Sequence, residues 1–103
     1  MPYKNGTEIK CKAGSKISFT GKVVVLTRDW KSGENKGEKR ISLNAIASLS
    51  VSSGSLFMNP NLTIELNNEE APKDKLKNPN CVFFSKSQIA EIKDLVEAIE
   101  EAL

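Results

Sequence analysis

The chain of 103 residues contains no histidine. This excludes His-dependent nucleophilic triads, histidine general bases and His-ligated zinc, the commonest routes to hydrolysis and metal catalysis. Cysteine is scarce as well: Cys11 and Cys81 are the only two, too few and too far apart for a zinc site or a disulfide scaffold. Two reduced thiols, at least one packed as a small apolar side chain, are the expectation, with a Cys11–Cys81 bridge as the alternative. No apolar run approaches the ~18 residues of a membrane span, and the polar residues 1–13 carry no secretory core, so a cytoplasmic chain is expected. Neither GxGxxG nor GxxxxGK[ST] occurs, so no phosphate-cradling glycine loop is present. The adjacent carboxylate pair Glu69-Glu70 falls in a polar stretch unsuited to holding catalytic geometry. Catalysis is not expected, and neither a metal, a cofactor nor a small-molecule substrate is implied.

What is present suits a single folded domain over residues 1–103. Leu, Ile, Val and Phe number 27, above the roughly one-fifth share below which disorder is expected. A chain of this length buries about two-thirds of its unfolded surface and can fold without covalent staples. The 15 basic and 13 acidic side chains leave a net charge of +2. They are unevenly spread: residues 1–40 carry ten basic against four acidic groups, residues 41–103 five against nine. The near-neutral total disfavours nucleic acid, although Trp30 sits among lysines. The basic first half leaves peripheral binding to an anionic membrane surface as an alternative.

Residues 7–12 read as a short edge strand with Ile9 and Cys11 inward. Across residues 16–27, Ile17, Phe19, Val23 and Val25 share one parity while Val24 and Leu26 take the other. One or two strands are expected there, with Gly21 at a bulge or sharp bend. Residues 28–39 form a polar connection marked by Ser32-Gly33 and Lys36-Gly37. Ile41 and Leu43 alternate, Leu43 to Ile46 is a spacing of three, and alternation resumes at Leu49 and Val51. Strand, tight corner at Asn44-Ala45, strand is the reading. Residues 52–60 are a turn region carrying Leu56-Phe57-Met58. Leu62, Ile64 and Leu66 mark a half-buried strand, residues 67–80 a long solvated loop, and residues 81–84 the last strand.

The end of the chain is a helix over 86–102. Ser85 and Gln88 fit the S-x-x-Q capping box, and Phe84 with Ile89 fits a hydrophobic staple. Ile89, Ile92, Val96, Ile99 and Leu103 repeat at helical spacing, with Leu95 broadening the stripe. Glu91, Asp94, Glu97, Glu100 and Glu101 fill the opposite, solvent-facing side. Six or seven short antiparallel strands followed by one amphipathic helix describe a mainly β sandwich or open barrel closed by a helix.

Three segments in this order carry a family likeness: FTGKVVVL at 19–26, KGEKRISLNAIASLSV at 36–51, and NPNCVFFSKSQIAEIKDLVEAIEEAL at 78–103. Together they cover about half the chain, and it resembles the bacterial pleckstrin-homology-like domains, a family of unknown function. The resemblance implies two roughly orthogonal antiparallel sheets, an open barrel with the helix plugging one end, and an interaction role. Asn59-Pro60-Asn61 departs from the glycine-led strand usual in that family, and the 67–80 loop is distinctive. A loop joining two strands at an open barrel end, as residues 28–40 would be, is where eukaryotic pleckstrin-homology domains hold phosphoinositides. Here Asp29, Glu34 and Glu38 interrupt the basic residues, so specific phosphoinositide binding is not expected.

The candidate binding residues are therefore Arg28, Lys31, Lys39 and Arg40 of the basic connection, Trp30 within it, and Phe57 and Met58 of the apolar triplet. Trp30 offers contact area at low entropic cost, or covers the edge of the core. Three consecutive apolar residues cannot all face one core. Leu56 and Met58 pointing inward beneath Phe57 is the plainest arrangement, and a self-association surface is its rival. The expected partner is another protein, or a second copy of the chain.

Overall fold

Tyr3 opens the described part of the chain by fastening it to a strand: its hydroxyl accepts the Phe19 N–H at 2.9 Å and donates to the Thr7 carbonyl. The computed structural model describes residues 3–28, 37–56, 58–67 and 80–103. Among them, seven strands form two antiparallel sheets, followed by one helix. The first sheet has the order β1 (Ile9–Lys10), β2 (Lys16–Phe19), β3 (Val23–Arg28), β4 (Gly37–Ser42); the second is β5 (Ile46–Ser52), β6 (Asn61–Leu66), β7 (Cys81–Phe83). The two sheets stay separate, so the described strands do not close into a barrel.

The split of residues 16–27 into two strands follows from Gly21. Phe19 pairs with Val24, and Thr20 and Val23 close a two-residue loop in which Gly21 has φ +103°. Glycine at the first central position of such a hairpin is what a type II′ turn needs. A Cβ there would also come within 3.0 Å of the Asn5 amide nitrogen. The turn reverses the parity, so Ile17 and Phe19 of β2 are buried together with Val24 and Leu26 of β3, while Val23 and Val25 are only half-buried.

The Leu43-to-Ile46 spacing folds as expected, into a 3-10 turn at Leu43–Ala45 between β4 and β5. It is tied to both sheets: Leu43 N–H donates to the Lys22 carbonyl at 3.1 Å, and Asn67 N–H to the Ala45 carbonyl at 2.9 Å. The helix α1 (Ile89–Ala102) is preceded by a 3-10 turn at Lys86–Gln88 carrying the full Ser85/Gln88 capping box. The helix proper thus starts later than residue 86, because its first turn is wound more tightly. Ile92, Leu95, Val96 and Ile99 are buried, whereas Leu103 is left exposed past the last turn. They join Ile17, Phe19, Val24, Leu26, Ile41, Leu62, Ile64, Val82 and Phe84 in one core between the sheets and the helix. No helix among the described residues is long and apolar enough to cross a membrane.

Both cysteines are free, so no Cys11–Cys81 bridge forms. Burial, with a smaller effect of the Glu91 carboxylate, pushes the Cys11 thiol from the ordinary 9.0 up to about 12. The unfolded chain therefore ionises this thiol at a pH where the folded chain still holds its proton. Stability falls as pH rises through that window, from about 9 toward about 12. Native protein at pH 8 is expected to react with Ellman's reagent far more slowly than denatured protein, which releases two equivalents per chain. Rapid native release at Cys11 would contradict this environment.

Candidate functional site

The basic connection does not form one surface. Arg28 continues the inward alternation of Val24 and Leu26 at the end of β3, and only 2% of it is exposed. It pairs with Gly37 across the ladder, so β3 runs one residue past the point where the polar connection was expected to begin, and β4 starts inside it. Burial lowers the Arg28 pKa from its ordinary value, an effect that Cys81 nearby partly offsets. A side chain taken out of solvent cannot contribute to an exposed basic patch, which corrects the expectation that Arg28 shares a surface with the other basic residues of the connection. Lys39 and Arg40 are neighbours on β4 and so lie on opposite faces of the sheet. Lys39 is half-buried; Arg40 is exposed, with its Nε 3.5 Å from Glu38 Oε2. Trp30, Lys31 and the remainder of that connection, with Phe57 and most of the 67–80 loop, lie outside the described residues.

Sequence reasoning missed a set of buried polar groups on the far side of the second sheet. Leu62, Ile64 and Val82 face the main core, yet Asn61, Thr63 and Cys81 on the alternate positions are buried too. Thr63 Oγ1 lies 3.5 Å from Cys81 Sγ, and Cys81 Sγ lies 3.9 Å from Asn61 Oδ1. The β6 strand is therefore covered on both faces rather than half-buried. The signal was the Asn61-x-Thr63 parity opposite Cys81, which reads as a solvent face until the cover is known. Cys81 is the small packed thiol that the sequence suggests.

The apolar triplet gives the clearest departure. Leu56 and Met58 do not point inward: they are 95% and 41% exposed. The turn that carries them is tightly built. Ser55 N–H donates to the Met58 carbonyl at 2.8 Å, and Gly54 N–H to Ser52 Oγ at 3.2 Å. Gly54 has φ +87°, and a Cβ there would lie 2.8 Å from both the Met58 carbonyl oxygen and the Pro60 nitrogen. Gly54→Ala is accordingly expected to destabilise the fold by ~1–3 kcal/mol, read from chemical unfolding, since it combines left-handed backbone with a backbone clash. A neutral result would show that the turn is loose.

This turn follows a strand edge with unusual chemistry. Among the described residues, the outermost strands of the two sheets are β1 and β4 in the first and β5 and β7 in the second. Of these, β1 has two residues and β7 three, while β4 carries Glu38, Lys39 and Arg40. By contrast β5, IASLSVS, is seven residues long with no charge and no proline. Short length, charge and proline are the usual defences of a sheet edge against pairing, and β5 has only the register shift between Ile46 and Ser48.

The ladder fixes which groups the edge presents. Ile64 N–H donates to the Asn80 carbonyl and Phe84 N–H to the Pro60 carbonyl, both at 2.9 Å. Even-numbered residues of β6 thus turn their backbone to β7, and Asn61, Thr63 and Glu65 turn theirs to Ser52, Ser50 and Ser48 of β5. Leu49 and Val51 are left with their N–H and C=O groups directed away from β6, along the open edge. Their side chains are half-buried against the core, while Ser48 and Ser50 are exposed on the other face. A groove of about 470 Å³ elsewhere lies between Tyr3, Lys4, Thr7, Ile9 and the helix residues Ala90, Glu91 and Asp94. No group of three His, Cys, Asp or Glu side chains able to hold a metal ion occurs among the described residues.

Comparison with protein-family models, curated proteins and solved structures returns no significant match to this chain.

Proposed function

We propose that the chain is a non-enzymatic protein-recognition module of the bacterial (or phage) cytoplasm, a pleckstrin-homology-like domain that engages a protein partner along β5 and the turn at residues 54–58. The observation carrying this reading is the conjunction of a long, uncharged strand edge with a 95%-exposed leucine at its end. Main-chain groups at such an edge supply affinity by strand addition, and the flanking apolar side chains supply selectivity. The four-plus-three arrangement of strands with a C-terminal helix supports the pleckstrin-homology-like reading, and the resemblance of segments 19–26, 36–51 and 78–103 supports it further. The basic first half favours a rival, an anionic membrane surface, because Lys10, Lys12 and Lys22 are exposed. Loss of Arg28 to the interior weakens that rival.

Immobilised chain is expected to retain a discrete protein partner, and the Leu56→Ser/Met58→Ser variant to lose it while keeping the circular dichroism of the wild type. Equal retention by both would overturn the placement. Salt-sensitive pelleting with anionic but not neutral vesicles would instead favour the membrane surface.

A further inference from the structure

We infer that the β5 edge is a homodimer interface, in which β5 of one copy pairs antiparallel with β5 of a second about a two-fold axis at Ser50; the inference rests on the protein-recognition reading and names the partner. The inward-outward alternation selects this register. Leu49 and Val51 carry the outward backbone groups, so a dyad at Ser50 sets Leu49 opposite Val51 of the second copy and Val51 opposite its Leu49. Each of these is a hydrogen-bonded pair exchanging N–H and C=O on both sides, giving four new backbone bonds. Ser50 meets its own copy and Ser48 meets Ser52, all uncharged. The Leu49 and Val51 side chains, half-buried in the isolated chain, gain apolar neighbours across the axis.

The uncharged strand is compatible with pairing to a second copy of itself. Two-fold pairing brings every side chain against another from the same strand, so any charge on β5 would meet a like charge nearby. The strand has none, whereas β4, with Glu38, Lys39 and Arg40 at the opposite sheet edge, would set charges beside each other. The dyad also steers the register clear of the irregularity between Ile46 and Ser48. It brings the turn bearing exposed Leu56 toward the start of the second copy's β5, where Ala47 and Ser48 are exposed and uncharged. The product is a continuous six-stranded sheet in the order β7-β6-β5-β5-β6-β7, with isologous contacts as closed symmetry requires.

The test is sedimentation velocity on the full chain across the micromolar to near-millimolar range, with two variants. Wild type is expected to double its 11.3 kDa mass as concentration rises. Ser50→Lys, at an exposed position, sets two ammonium groups face to face at the axis and is expected to weaken association at least about tenfold with unchanged circular dichroism. Ser50→Cys in a Cys11→Ser background is expected to form a disulfide-linked dimer on mild oxidation, because non-hydrogen-bonded pairs bring the Cα atoms within disulfide reach. A wild type that stays monomeric, with no cross-linking of Ser50→Cys, would overturn the homodimer. So would a Ser50→Lys variant that dimerises as well as wild type. If the chain is monomeric yet Ser50→Lys abolishes capture of a different protein, the homodimer fails while the recognition reading stands.

Discussion

Phe84→Ala is expected to lower the stability of the fold by ~3–5 kcal/mol, the range for removing a buried aromatic from a packed core. The position concentrates several roles. Phe84 is fully buried in the main core, its N–H extends the β6–β7 ladder to the Pro60 carbonyl, and the next residue caps the helical turn. Its ring therefore joins the end of the second sheet to the start of the helix. Domains of about this size are stable by only ~5–15 kcal/mol, so one such loss removes a large part of the total. At roughly 4–8 °C per kcal/mol the melting temperature falls by about 12–40 °C. Urea and thermal unfolding of the variant measure it; a loss under ~1 kcal/mol would show that Phe84 does not join the two elements.

Arg28→Ala and Arg40→Ala are expected to diverge, although the two residues look alike in a list of charges. Removing a large, nearly inaccessible side chain leaves a void and disturbs neighbouring buried polar groups, and a cost of ~2–4 kcal/mol follows. Arg40 is exposed and 3.5 Å from Glu38 at the surface, and its loss should change stability by no more than ~0.5 kcal/mol. On vesicles or partners the order reverses, since only Arg40 meets the solvent. Thermal unfolding of the two variants side by side checks the contrast. Equal, small effects would return Arg28 to the surface.

That pair marks how far residue patterns reach. Elements governed by local chemistry were legible: the Ser85/Gln88 box is formed, the Leu43–Ile46 spacing makes its corner, and Gly21 turns a hairpin. Each depends on groups a few residues apart. What depended on distant cover was not legible. Asn61, Thr63 and Arg28 are polar at alternating positions and read as solvent-facing, yet all are buried. Hydropathy also misleads at residues 56 and 58, where Gly54 fixes a turn that holds Leu56 and Met58 outside the core. The β5 edge was hidden for a different reason. Its sequence reads equally well as a central strand, and only the pairing order leaves one side open. Among the candidate binding residues, Met58 and Arg40 reach solvent, Lys39 does so partly and Arg28 not at all.

The most direct measurement of the account is residue-resolved amide hydrogen exchange along β5, in dilute protein and again under conditions where it associates. The ladder predicts that Ser50 and Ser52, bonded to β6, are protected in both states, while Leu49 and Val51 exchange quickly in dilute protein and become protected on association. Protection of Leu49 and Val51 in the dilute monomer would mean that the edge is already covered. Persistent fast exchange of both in the associated state would place recognition elsewhere, and either outcome would contradict the account.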